Sequence, residues 1–208
     1  MNINELNDQE LIRLEKIKKY QELGIDPFGQ AYKVSHSIKE IRALCNKKSE
    51  KALAKMALKV SVAGRIKAIR KMGKASFMNI QDKTGNIQVY LSLDGLGKKN
   101  YDLFKMADIG DIVGVKGIMN LTRTGELTIK AQKFIHLTKC LHPLPEKFHG
   151  LTDVEERSRR RYLDLIMNEE ARKVAFMRPQ IIRSIQHFLD GKGFTEVETS
   201  ILSPILGG

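Results

Sequence analysis

The stretch Val60–Leu91, VSVAGRIKAIRKMGKASFMNIQDKTGNIQVYL, constrains this chain more than any other. Side chains alternate across a strand with period two, and two segments here keep that period. From Ser76 to Asp82, Met78 and Ile80 share one face, while Phe77, Asn79 and Gln81 share the other. From Asn86 to Leu91, Ile87, Val89 and Leu91 form an apolar face opposite Asn86, Gln88 and Tyr90. The pattern predicts two half-buried strands. The Asp82-Lys83-Thr84-Gly85-Asn86 cluster between them predicts a hairpin, with Gly85 suited to positive φ. Phe77 breaks the rule that aromatics fall with the core, because parity puts it on the wet face with the amides. A ring that stacks a base beside amides that read its edge is the chemistry of single-stranded nucleic-acid binding. A register shift of one residue would instead bury Phe77.

The rest of the chain extends this into a barrel. Val60–Ile66 reads as a first strand with Val60, Val62 and Ile66 inward; Gly64, also inward, fits a bend or bulge. Lys67–Met72 reads as a basic connection containing Arg70 and Lys71. Gly95 and Gly97 loosen the chain before a short helix over Asn100–Met106, with Leu103 and Phe104 buried. Ile112–Val115 and Glu126–Ala131 read as fourth and fifth strands, the latter with Glu126, Thr128 and Lys130 outward. Three strands, a helix and two strands is the order of the five-stranded OB-fold, a barrel that binds oligonucleotides. A glutamate on such a face is suited to meeting donors on a base edge rather than phosphate. Ordinary surface polarity is the alternative reading of Gln88 and Glu126.

Helices are predicted on both sides. Asn4–Leu23 carries a stripe of Leu11, Leu14, Ile17 and Tyr20, with Asn7 or Asp8 as cap and Gly24 as terminator. Its Lys16, Lys18 and Lys19 form either a solvated face or a phosphate contact. A second helix starts at Ser37 with Ile38, Ile41 and Leu44 buried, and a further turn or two runs from Ser49 to Met56. His142-Pro143-Leu144-Pro145 ends the barrel. Beyond it, Asp153 caps an arginine-rich segment and another helix starts near Asn168. Pro179 predicts a kink, or a new helix with the proline in its first turn. Ile181, Ile182, Ile185, Phe188 and Leu189 make that helix's apolar stripe; Gly191 and Gly193 end it, and Phe194–Thr199 reads as a strand. The fold class is therefore α+β.

The formal net charge is +12, which suits a polyanionic partner and equally a lysine-rich proteome. Cys45 and Cys140 are far apart and lack metal-ligand spacing, so reduced structural thiols are expected. No long apolar run, signal peptide or lipidation motif is present, which predicts a soluble, cytoplasmic chain with no membrane partner.

Arg161-Tyr162-Leu163-Asp164-Leu165-Ile166 followed by Gly193-Phe194-Thr195-Glu196-Val197-Glu198-Thr199 resembles the opening of a class II aminoacyl-tRNA synthetase catalytic domain. The long helix and the strand after it resemble motif 1 of that class. Gly73–Phe77, Thr124–Leu127 and Pro143–Leu151 resemble the bacterial lysyl-tRNA synthetases; the aspartyl and asparaginyl enzymes share the architecture. The resemblance covers nearly the whole chain. It implies residues 1–58 as a helical extension, 59–141 as an OB-fold anticodon-binding domain, 142–152 as a linker and 153–208 as the start of the catalytic domain.

By position it implies that Phe77, Gln88 and Glu126 stack and read the uridine-rich anticodon of lysine tRNA. It assigns an arginine to them near the first hairpin, for which Arg70 is chosen over the neighbouring Ile69. It implies that the Gly207 backbone helps hold the α-amino group of substrate lysine, and that Arg178, Phe194, Val197 and Glu198 belong to a homodimer element. The implied activity is lysine–tRNA ligation with ATP and Mg2+, with tRNA rather than DNA as partner. Motifs 2 and 3, which clamp ATP and hold magnesium, are not found among these residues, so the chain alone is expected to form no lysyl-adenylate and to bind neither cofactor fully. No catalytic residue or metal ligand is assigned to it. Ser200 stands where motif 1 carries a proline. The alternative is an OB-fold RNA-binding module without ligase activity.

Overall fold

The computed structural model describes residues 6–29, 31–145 and 151–202. The chain divides into two compact units, residues 1–144 and 145–208. In the first, five strands close into a barrel: β1 (Lys59–Met72), β2 (Ala75–Gln81), β3 (Asn86–Ser92), β4 (Ile112–Leu121) and β5 (Leu127–Thr138). Their order around the barrel is β1-β2-β3-β5-β4. The parity of β2 and β3 is as expected. Met78, Ile80, Ile87, Val89 and Leu91 are buried, whereas Phe77 and Gln88 lie on the partly exposed face.

The first strand is twice as long as its sequence pattern suggests. Lys67–Met72 is no connection: it continues β1 and pairs with β2, while the first half of the strand pairs with β4. Between Ile66 and Ala68 the register shifts, leaving Lys67 as a bulge. A bulge puts two residues opposite one and so reverses the in–out alternation beyond it. Ile69 consequently packs against the core and Arg70 is exposed. A second shift, at Gln132 in β5, turns both Gln132 and Lys133 outward and returns Phe134 to the core. The fourth and fifth strands also extend past their expected ends, to Leu121 and Thr138. Glu126 precedes β5 rather than opening it.

Four helices accompany the barrel. Asn7 caps α1 (Asp8–Glu22) through a capping box with Glu10. Its stripe is displaced from the expected one: Leu11 is exposed, and Arg13, Ile17 and Tyr20 are buried. Ser37 and Glu40 form a capping box at α2 (Ile38–Cys45), where Cys45 rather than Leu44 enters the core. The Asp82 carboxylate accepts from the Ile38 backbone N–H (2.9 Å) and from Gly85 N–H in its own hairpin (2.9 Å), fixing α2 to the β2–β3 turn. Ser49 caps α3 (Glu50–Met56), whose Leu53 is buried. The helix between β3 and β4, α4 (Leu93–Lys105), starts earlier than expected because Ser92 caps it. Gly97, at φ 73°, kinks it.

A polar cluster joins α1 to the barrel. Lys139 is fully buried and reaches Asp111 (2.8 Å) and Asp108 (2.5 Å), which also accepts from Lys16 (2.6 Å). Lys16 therefore makes a structural ion pair rather than a free phosphate ligand. Arg13 donates to the carbonyls of Cys140 (2.6 Å) and Ile109 (3.2 Å). Both cysteines are free. No helix among the described residues is long and apolar enough to cross a membrane.

In the second unit, α5 (Val154–Arg159), α6 (Arg161–Met167) and α7 (Glu169–Asp190) follow one another. Buried Asp164 accepts from Arg157 (2.8 Å), Arg161 and Asn168, tying the three helices together. Pro179 lies within α7, which runs through it without starting anew; one missing backbone donor is tolerated in 22 residues of continuous helix. Gly193, at φ 86°, turns the chain so that the Phe194 N–H bonds to the Leu189 carbonyl (3.2 Å) and closes the helix. Residues 194–200 form no strand, against expectation, because no described strand pairs with their backbone. Pro204, Gly207 and residues 146–150 of the Pro143–Leu151 stretch lie outside the described residues.

His136 on β5 is buried and stacks on Tyr20 of α1, with ring centroids 4.1 Å apart. Burial pushes its imidazole below the ordinary value of 6.5, since the charged ring would lose its hydration. As pH falls below 6.5 the unfolded chain takes up this proton first, so stability falls with pH. Denaturant midpoints measured from pH 7.5 down to 5 should therefore decline, and His136→Phe, which keeps a stackable ring, should flatten the decline. An equal decline in both proteins would remove His136 as its source.

Candidate nucleic-acid interface

Strand pairing brings the wet-face residues into two rows. Arg70 of β1 is opposite Phe77 of β2, Phe77 is opposite Tyr90 of β3, and Tyr90 is opposite Lys130 of β5. One step along, Asn79, Gln88, Thr128 and Asn120 follow on β2, β3, β5 and β4. Adjacent strands lie about 4.8 Å apart, so each row presents its side chains within reach of one another. Phe77 and Tyr90 form a tilted aromatic pair, with centroids 5.3 Å apart and planes at 53°. Their edges and faces stay available at the floor of an open cleft of about 550 Å³.

The cleft's walls are basic and polar. Arg70 and Lys130 stand at its two sides; Thr122, Arg123 and Thr124 of the β4–β5 hairpin, with Glu50 of α3, form its rim. Gln88 is held in place: its Nε2 donates to Thr128 Oγ1 (2.9 Å), whose hydroxyl donates to the Glu126 carbonyl (3.1 Å). One amide N–H of Gln88 is thereby used, and its carbonyl oxygen and second N–H remain for a ligand. The five strands carry eight basic residues, Lys59, Arg65, Lys67, Arg70, Lys71, Lys116, Lys130 and Lys133, and no acidic one. Carboxylates are confined to turns and helices, so the strand faces present positive charge.

Three of the four residues expected here, Arg70, Phe77 and Gln88, converge on the cleft. Glu126 does not line it. Gly125 turns with φ 80°, and Thr122 bonds both main-chain groups of Glu126 (3.0 Å each), which fixes it in the hairpin with its side chain exposed. Tyr90, Thr128, Asn120, Lys130 and Arg123 are cleft residues that the sequence reading left unassigned. Tyr90 shares the parity of Gln88, and Lys130 that of Thr128, so a signal for both was present. Asn120 and Arg123 carried none, because they arrive through pairing of β4 with β5.

Comparison with known proteins agrees with this geometry. The family described as an OB-fold nucleic acid binding domain matches residues 60–137, and that described as tRNA synthetases class II (D, K and N) matches residues 153–208. The lysine–tRNA ligase of Bacillus cytotoxicus is 48% identical over 208 residues, all of this chain. That of Listeria monocytogenes is 48% identical over 207 residues, and that of Streptococcus suis 47% over 207. The chain is similar to these lysine–tRNA ligases along its whole length. It spans 42% of the length of each of these three.

The residues expected to serve a lysine–tRNA ligase in dimerisation lie in the second unit. Arg178 is exposed on α7, and Phe194, Val197 and Glu198 are exposed in the segment after it. Ile181, Ile185 and Phe188 on one face of α7 are 52%, 55% and 65% exposed, so that face is uncovered. Gly207 lies outside the described residues. Among the described residues no group of three His, Cys, Asp or Glu side chains is placed to hold a metal ion.

Thr128→Val keeps the buried side chain's shape and removes the hydroxyl that holds Gln88. Stability in urea should drop by about 0.5–1.5 kcal/mol, and the Gln88 side-chain amide resonance should shift toward its solvent-exposed position. An unmoved resonance would mean that Thr128 does not orient Gln88.

Proposed function

We propose that this chain serves a lysine–tRNA ligase by holding the anticodon loop of lysine tRNA on the outer face of its barrel. The observation that carries this reading is the convergence of a surface aromatic pair, a fixed amide and two flanking cations on a strand surface without carboxylates. Phe77 stacks a base, with Tyr90 beside it. Gln88 reads the edge of a neighbouring base, and Arg70 and Lys130 meet the phosphates on either side. Glu126 reaches the loop from the hairpin rim. In the complete ligase, lysine and ATP would give lysyl-adenylate and pyrophosphate, and the lysyl group would then pass to the tRNA with release of AMP; Gly207 would help hold the lysine amine, and magnesium would supply countercharge to the phosphates. A cytoplasmic location goes with this role.

We also infer that the second unit pairs with a second copy of the chain. The uncovered face of α7 and the exposed Phe194 and Val197 support this, since contiguous exposed apolar surface marks an interaction site. Sedimentation over a concentration series should give a discrete dimer, and Phe188→Asp should shift it to monomer. A continuous spread of sizes would sink the assignment in favour of nonspecific association.

Stacking one base on an aromatic is worth about 1–3 kcal/mol. Phe77→Ala should therefore weaken binding of a uridine-anticodon stem-loop roughly 5- to 150-fold while leaving the melting temperature nearly unchanged. Gln88→Ala should cost less affinity but narrow the gap between uridine- and cytidine-anticodon loops. If Phe77→Ala binds as before, the cleft is not where the bases sit.

A further inference from the structure

Next to the aromatic cleft, the outer wall of the barrel carries a second feature that base reading does not use. On β4 the outward positions run Asn120, Ile118, Lys116 away from the cleft. Ile118 has Lys59 of β1 on one side and Lys130 of β5 on the other; Lys116 has Ser61 on one side and Lys133 on the other. Lys133 faces outward because of the β5 bulge at Gln132. Lys33 joins them from a segment strapped across β1. The Ser61 hydroxyl donates to the Lys33 carbonyl (2.8 Å), the Ser35 N–H donates to the Ser61 carbonyl (2.8 Å), and the Ser61 N–H donates to Ser35 Oγ (2.8 Å). Between this strap and the sheet runs a groove of about 410 Å³ floored by Lys59, Ser61, Lys116 and Gln132.

Lys116 and Lys133 are directly opposite on adjacent strands, an arrangement that costs stability because like charges face each other. None of these five lysines forms an ion pair among the described residues. Lys130 belongs both to the cleft and to this array, so the two surfaces are continuous. We propose that the lysine row over β1, β4 and β5 is a track for RNA phosphates, along which the backbone of a stem-loop continues after its loop bases enter the cleft. The occupant follows from charge: a polyanion with regularly spaced phosphates relieves the facing lysines, and it displaces no neutralising carboxylate. This rests on the anticodon-loop reading above.

The test measures binding of a labelled uridine-anticodon stem-loop, and of its loop strand alone, across a salt series. Lys116→Gln/Lys133→Gln is compared with wild type, with Phe77→Ala, and with Lys98→Gln/Lys99→Gln on α4 as an equal charge change away from the track. The track variant should weaken stem-loop binding on the order of ten-fold at low salt. It should also lower the salt slope by about 1.4–1.8, since each released phosphate contact contributes roughly 0.7–0.9. Its affinity for the loop strand should stay at the wild-type level, and thermal melts should show it folded. Wild-type behaviour of the track variant, or equal loss in the α4 control, overturns the track while Phe77→Ala still reports on the cleft. If Phe77→Ala binds both RNAs as wild type does, the cleft reading fails, and the track that rests on it fails too.

Discussion

Every strand of a closed barrel pairs with two neighbours, and β1, the longest, does so with different halves of its length. Its first half pairs with β4 and its second with β2, and Arg65 pairs with both Ile112 and Gln81 at the crossover. The backbones approach so closely there that a Cβ on Gly64 would lie 2.7 Å from the Gln81 carbonyl oxygen. Gly117 plays a similar part where β4 meets β5, with the Lys130 carbonyl 2.3 Å from any Cβ. Glycine at these points lets the sheet coil tightly enough to close. Closure leaves an interior filled by Val62, Ile66, Met78, Ile80, Val89 and Phe134. The remaining half of every strand has to face outward, and that outward half is the candidate interface.

The outer surface could not be so basic if the carboxylates were spread over it. They are instead drawn into caps and ties. Asp82 holds the β2–β3 hairpin and α2, while Asp108 and Asp111 hold Lys139 and Lys16. Burial alone would raise the Asp108 carboxyl, but the ammonium groups of Lys139 and Lys16 bond to it and keep it below the usual carboxylate range. Breaking such a buried pair leaves an uncompensated charge, at about 3–5 kcal/mol. The acidic side chains thus fasten the helices and the turn, and the strands are left to present cations to a ligand.

Much of this was legible in the amino-acid order. The alternation in Ser76–Asp82 and Asn86–Leu91 fixed which residues enter the core, because a half-buried strand has no other way to separate apolar from polar side chains. It also set Phe77 and Gln88 outward, and Ser37 marked the start of α2. The motif resemblance pointed to the same relatives that comparison found. Helix faces were read less well. Leu11 and Leu44 have the right spacing, yet Arg13 and Cys45 occupy the buried positions, since the barrel wall decides which face is covered.

What the order of residues could not supply was the effect of partners. Straight alternation through β1 would have placed Arg70 on the inward face with Ile66. The bulge at Lys67 reverses it, and a bulge exists only relative to the strand alongside. The same holds for Lys133 beyond Gln132. Asn120, Thr128 and Tyr90 meet only because β3 lies beside β5 and β5 beside β4, and Glu126 leaves the strand because Thr122 captures its backbone. Residues 194–199 carry the composition of a strand and form none, as a strand's hydrogen bonds belong to a pair. Sequence by itself determined the apolar faces of β2 and β3, the hairpin between them and the Ser37 cap, which depend on near neighbours in the chain. Tertiary structure alone decided register, bulges and which side chains share a surface, because those depend on hydrogen bonds to strands far away in sequence.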